Sequence, residues 1–132
     1  TGSIGACSDI RYKKDITPLP NSLSNVMKLQ GVNYFWKTKE FPDKNFSNEK
    51  QLGFIAQEIE KILPEVVMTD KEGYKSVDYS RLTPVLVEAM KELKKENDSL
   101  KAENTVILNE VKNLKTDLTL IKSTLGISAK KK

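Results

Sequence analysis

From Leu86 to Leu125 the apolar positions recur at alternating steps of four and three: Leu86, Met90, Leu93, Leu100, Ile107, Val111, Leu114, Leu118, Ile121 and Leu125, with Asn97 and Asn104 filling the two remaining steps. After Pro84 neither Pro nor Gly interrupts this tract until Gly126. The spacing predicts one long helix with a heptad seam, starting at Thr83-Pro84, where threonine caps and proline fits the first turn. With Met90, Asn97, Asn104, Val111, Leu118 and Leu125 at a, and Leu86, Leu93, Leu100, Ile107, Leu114 and Ile121 at d, the flanks sort by charge. Glu96, Glu103, Glu110 and Asp117 fall at g, and Lys94, Lys101, Lys115 and Lys122 at e. Parallel in-register chains would then pair Glu96 with Lys101, Glu110 with Lys115 and Asp117 with Lys122. Each exposed pair contributes under ~1 kcal/mol, so the charges select orientation and register while the apolar seam supplies stability. The two asparagines weaken the seam and fix register, without deciding oligomer order. About six heptads with sorted flanks exceed what one small domain covers, which favours a parallel homo-oligomer over a lone helix packed on its own domain.

Upstream the pattern breaks into short pieces. TGSIGAC, residues 1–7, is small and flexible and reads as the end of a preceding segment. Ile10 and Tyr12 share one face of a predicted short strand, which the Thr17-Pro18-Leu19-Pro20 break follows. Asn21 or Ser22 caps a short helix carrying Leu23, Val26, Met27 and Leu29 and ended by Gly31. Val32 to Trp36 is dense in β-formers and reads as a paired strand. Lys37 to Lys50 is polar but carries Phe41 and Phe46, so it is either an arm that presents two exposed Phe as a contact surface or a mobile loop. Apolar Leu52 to Ile55 leads into a helix over 56–63, with Ile55, Ile59, Ile62 and Leu63 on one side and Pro64 as its stop. Val66 to Met68 and Tyr74 to Val77 form a hairpin about Asp70-Lys71-Glu72-Gly73. The fold class is α+β: a small globular domain over 8–82, a coiled coil over 83–125 and a basic tail over 126–132.

Composition narrows the function classes. The net charge is +4, from 22 basic and 18 acidic residues, and Lys130 to Lys132 hold most of the excess. Both signs are interspersed along the helix, which fits a solvated mixed-charge surface rather than the basic face of a nucleic-acid binder. Cys7 is the only cysteine, so one chain can build neither a disulfide nor a Cys-based metal site, and neither metal nor cofactor is expected. No stretch approaches the ~20 apolar residues of a membrane span, and no signal-peptide pattern opens the chain. Opening on Thr1, the chain reads as the C-terminal piece of something larger. With roughly 80 residues left to fold, a single-chain core is marginal and oligomerisation is expected.

Candidate chemistry concentrates in SDIRYKK, residues 8–14. The chain has no histidine, which removes every Ser-His and Cys-His mechanism and leaves Lys13 as the base for Ser8. A free lysine has a pKa of ~10.4, so base action near neutral pH needs a shift of about three units, roughly 4 kcal/mol. Burial and the like charges of Arg11 and Lys14 favour the neutral amine, and Asp9 and Asp15 oppose it. An offset of five puts the two side chains on opposite faces of a strand, or about 140° apart on a helix. The dyad therefore needs a bend within Asp9 to Tyr12, or a partner chain supplying one member. If the Ser8-Asp9 bond is cut, attack by Ser8 Oγ on its own carbonyl would close a strained four-membered ring. A lysine-activated water or a serine from another subunit avoids that ring, and an acyl shift cutting before Ser8 is the easier stereochemistry. On spacing alone, Ser8-Asp9 fits a turn or helix cap equally well.

Four blocks in order supply context: SDIRYKKDI at 8–16, LQGVNYFWK at 29–37, GFIAQEIEKILPEVV at 53–67 and VDYSRLTPVLVEAMKEL at 77–93. Together they resemble the peptidase S74 family, the C-terminal intramolecular chaperone of endosialidase-type tailspikes and fibres. The resemblance implies a parallel homotrimer that gathers the upstream segments of its own polypeptide, assists their folding into a β-rich stalk, and cuts itself off. It places the cut between Ser8 and Asp9, maps a Ser-Lys dyad onto Ser8 and Lys13, and matches recurrent positions at Arg11, Gln57 and Glu58, which have no individual role assigned. The family's passenger-gripping arms correspond to Lys37 to Lys50. The address it implies is a phage virion fibre or a bacterial cell-surface protein. Non-local β pairing is slow and prone to aggregation, and a coiled coil that fixes register early relieves both. The competing reading is a non-cleaving structural trimerisation tip, and a DNA-associated regulator carrying the same processing domain is a third.

Overall fold

The computed structural model describes residues 7–126, so most of the segments read as 1–7 and 126–132 lie outside the described residues. The chain divides into two compact units, Thr1–Ala89 and Met90–Lys132. The fold is α+β, with short strands and helices followed by one long helix.

In the first unit, Asn21 takes a left-handed conformation (φ 56°) that turns the chain into α1, Ser22–Lys28. Ser22, rather than a large apolar side chain, is that helix's buried residue, and its hydroxyl donates to the Leu19 carbonyl at 3.3 Å. Strand β1, Val32–Tyr34, pairs antiparallel with β2, Gln51–Gly53, with Val32 opposite Gly53 and Tyr34 opposite Gln51. The polar stretch 37–50 is the connection between these strands. Its two Phe residues fold back instead of standing exposed: Phe46 stacks on Trp36 at 4.2 Å between centroids, and Phe41 meets Tyr74 edge-on at 6.3 Å. Burying those rings against neighbours removes apolar surface that a free loop would leave in water.

Gly53 is where three elements converge. A Cβ there would lie 2.7 Å from the Tyr79 hydroxyl and 3.3 Å from the Tyr34 ring. That hydroxyl also accepts the Phe54 amide at 3.2 Å, so the close approach satisfies a backbone donor. Helix α2, Ala56–Ile59, is shorter than the predicted 56–63, because the chain loosens into turns before a 3-10 turn at Pro64–Val66. Ile59 and Leu63 nevertheless remain buried. Strands β3, Val67–Thr69, and β4, Lys75–Val77, form the second antiparallel pair. Asp70 Oδ1 closes its turn by accepting the amides of Glu72 and Tyr74, both at 2.9 Å, while Gly73 supplies φ 89°.

Helix α3, Tyr79–Thr124, begins before the predicted Thr83-Pro84 start. Asp78 is the reason: its carboxylate accepts the Ser80 amide at 3.1 Å and the Ser80 hydroxyl at 2.5 Å, a cap that satisfies the first turn. Pro84 then falls inside the helix, where Leu82, Val85 and Ala89 hold the segment by burial. The core joins Ile59, Leu63, Val66, Leu82 and Val85, with Val26, Leu29, Phe54, Ile62, Val67 and Val77 packed around it. Only seven hydrophobic side chains are buried among the described residues, all in this unit, so the core is small.

In the second unit the helix exposes its apolar positions. Met90 is 70% accessible, Leu114 66% and Leu125 65% in the single chain. None of the described helices is long and apolar enough to cross a membrane.

Gly53→Ala is expected to destabilise the first unit by about 1–3 kcal/mol through the Tyr79 clash, and Ile59→Ala by about 2–5 kcal/mol through a core cavity. Thermal unfolding followed by circular dichroism checks both, and a Gly53→Ala protein as stable as wild type would contradict the packing described for Gly53.

Candidate active site at residues 8 to 13

Residues 10–12 were predicted as strand and are a 3-10 turn, Ile10–Tyr12. Asp9 explains the change. It sits extended at the N-cap, and its Oδ1 accepts the Arg11 amide at 2.9 Å, a side-chain bond that competes with strand pairing. The Tyr12 amide donates to the Asp9 carbonyl at 3.1 Å and the Lys13 amide to the Ile10 carbonyl at 3.0 Å. Arg11 then returns its guanidinium to the same carboxylate, with Nε 3.0 Å from Oδ1 and Nη2 2.8 Å from Oδ2. Two parallel charge-assisted bonds to one carboxylate fix its plane as well as its position.

This turn supplies the bend that the five-residue offset requires. Ser8 precedes it, Lys13 leaves it in extended conformation, and Lys13 Nζ donates to Ser8 Oγ at 2.8 Å within one chain. The contact has the length of a hydrogen bond in either direction, so across it a neutral amine at Nζ could accept the Ser8 hydroxyl proton. Both side chains are exposed, and the turn buries none of its residues. Burial of the amine, one of the two influences weighed from the sequence, is thus not supplied by the single chain. Arg11, one of the two like charges considered there, is engaged by Asp9.

Gln57 and Glu58 lie exposed on α2, and no described hydrogen bond or ion pair joins them to the turn. Gln57 instead lines a cleft of about 500 Å³ with Tyr34, Trp36, Phe54 and Tyr79. Of Arg11, Gln57 and Glu58, which the sequence left without an individual role, Arg11 is the one bonded within the turn, and the signal for its partner was an Asp two positions earlier at a cap position.

The Arg11 bonds hold the Asp9 carboxyl below its ordinary range, the side-chain contact being the larger cause and the backbone amide the second. A carboxyl with a depressed folded-state pKa stabilises the turn above its unfolded pKa and loses that contribution as pH falls through the folded value. The Asp9 side-chain carbon is therefore expected to titrate below an exposed aspartate in carbon-detected NMR, and in Arg11→Ala its midpoint should rise toward the ordinary range, the remaining backbone amide bond keeping part of the lowering.

Comparison with known proteins agrees with the ordered blocks. The family model Peptidase_S74, chaperone of endosialidase, matches residues 8–68. The "Long tail fiber protein Gp37" of Salmonella phage S16 is 30% identical over 119 residues, covering 88% of this chain and 15% of that protein. Its namesake in Escherichia phage AR1 is 39% identical over 66 residues, 50% of this chain and 6% of that protein. The Enterobacteria phage K3 protein of the same name is 37% identical over 90 residues, 65% of this chain and 7% of that protein. The chain thus spans a small fraction of the length of these relatives. The 3-10 turn with its Ser8–Lys13 contact, the β1–β2 hairpin and helix α2 all fall within the matched residues. Through residues 8–68 this chain is thus similar to the Peptidase_S74 family, chaperone of endosialidase.

Proposed function

We propose that this chain is the C-terminal intramolecular chaperone of a phage tail fibre, which trimerises through its long helix, assists the folding of the upstream fibre segment, and releases itself by cutting Ser8-Asp9. The observation that carries the proteolytic part is the 2.8 Å contact between Lys13 Nζ and Ser8 Oγ at the two ends of one turn. The exposed seam supports the trimer: Leu93, Leu100, Ile107, Leu114, Leu118 and Ile121 are each half or more accessible in one chain, and association would remove them from water. A cleft of about 600 Å³ lined by Trp36, Phe41, Phe46 and Tyr74 supports the 37–50 segment as the part that holds the passenger.

The net reaction adds one water across the Ser8-Asp9 amide. The Ser8 carbonyl becomes a carboxylate and the Asp9 nitrogen an α-ammonium. Lys13, as the neutral amine, takes the proton of the attacking hydroxyl and returns it to the Asp9 nitrogen as the C–N bond breaks. The strained ring that Ser8 would form with its own carbonyl leaves two attackers: a water held by the Ser8–Lys13 pair, or Ser8 of a neighbouring chain, whose ester with the Ser8 carbonyl is then hydrolysed by the one water of the net reaction. Neighbouring chains would also bury Lys13, which favours the neutral amine. Release after folding would leave the fibre kinetically stable, because the element that set its register is gone.

Expressed within its full-length fibre protein, wild type is expected to yield a fragment beginning at Asp9 by intact mass, while Ser8→Ala and Lys13→Ala stay uncut. Light scattering of the released fragment is expected to give three chains. An unchanged band pattern between wild type and Ser8→Ala would remove the protease reading in favour of a trimerisation tip that stays attached, and a stable monomer or dimer would remove the trimer.

A further inference from the structure

The turn at residues 9–11 has no core behind it. All of its residues leave their side chains outside the buried set, so its conformation rests on local polar bonds. Three of those bonds end on one carboxylate: the Arg11 amide and Nε on Asp9 Oδ1, and Nη2 on Oδ2. Asp9 also contributes the nitrogen of the Ser8-Asp9 bond, so whatever holds its side chain orients that peptide as well. Arg11 itself makes no described bond to Ser8 or Lys13 and points its charge at Asp9 instead.

We infer that Arg11 is a positioning residue for the cleavage, acting through Asp9: it sets the turn that brings Lys13 to Ser8, and it withholds the Asp9 carboxylate from Lys13. This rests on Ser8-Asp9 being the cleavage junction. The chemistry is one of competition. Asp9 adjoins Ser8, Lys14 and Asp15 flank Lys13 on the other side with opposite charges, and an Asp9 carboxylate free of Arg11 would attract the Lys13 ammonium, drawing Nζ off Ser8 and favouring the protonated form that cannot accept the serine proton. Arginine suits this task because it stays charged at every working pH and its planar fork engages both carboxylate oxygens at once. A lysine at position 11 would lack that fork.

The test measures cleavage rate against pH in the full-length fibre protein for wild type, Ser8→Ala, Arg11→Ala and the double variant Asp9→Asn/Arg11→Ala, with trimer formation followed by light scattering. Arg11→Ala is expected to cut about 10- to 100-fold more slowly near neutral pH, the scale of a misplaced reacting group, and to recover as pH rises. Adding Asp9→Asn removes the competing charge while asparagine still caps the turn, so the double variant should regain most of the rate and the wild-type pH profile. Wild-type rate and profile in Arg11→Ala would overturn the inference. So would a loss that is equal at every pH and undiminished in the double variant, which marks a merely structural role. If wild type is not cut, or Ser8→Ala is cut as fast as wild type, the junction reading fails and this inference falls with it. If those two controls behave as proposed and Arg11→Ala is unaffected, only the role of Arg11 fails.

Discussion

A chain of this kind cannot bury the apolar residues it carries. Among the described residues seven hydrophobic side chains are buried, clustered about Ile59, Leu63, Val66, Leu82 and Val85, while the helix beyond Ala89 leaves its seam in water. Conformational entropy opposes ordering every one of these residues, and a core this small offsets little of it. In the proposed function further copies of the chain complete the burial, and a heptad seam with acidic g and basic e positions is the surface that they would match. The polar and aromatic devices of the first unit serve the same shortage. The Trp36–Phe46 stack and the Tyr79–Phe54 contact draw apolar surface together where the core does not reach.

The candidate site obeys different physics. It is assembled from charge-assisted and backbone hydrogen bonds over six consecutive residues, with no buried side chain of its own. Bonds of that sort are weakened by water and strengthened when water is excluded. The Ser8–Lys13 contact made this way is formed in the isolated chain yet held in a wet, high-dielectric setting. Assembly, by covering Lys13, would supply the dry setting that amine chemistry requires. In the proposed function this links the timing of cleavage to association, since the geometry is local and the environment is collective.

Long-range period and local chemistry were readable in different degrees. The heptad spacing, the β3–β4 hairpin with its Asp70–Gly73 turn and the α+β class follow from spacing and from turn residues whose conformational demands are intrinsic, whereas the pairing of β1 with β2 was not read from the sequence. The Ser8–Lys13 pairing was legible as residue types, but the strand predicted across Ile10 and Tyr12 was displaced by the Asp9 cap, and α3 reached back to Tyr79 because Asp78 caps it. In both places an aspartate two residues ahead of an amide outcompeted the signal of apolar alternation or of Thr-Pro. The 37–50 segment shows the converse. Its polar composition suggested projection, whereas ring-ring contacts with residues distant in sequence fold Phe41 and Phe46 back.

Sequence alone determined the period of the long helix, the absence of histidine and the candidate nucleophile and base, because periodicity and residue chemistry are properties of the chain itself. Tertiary structure decided that Ser8 and Lys13 meet at 2.8 Å, that Arg11 holds Asp9, and that Gly53 must lack a side chain beneath Tyr79. Each of these depends on where a rotatable side chain ends in space, and that follows from the competition among all available hydrogen bonds and contacts.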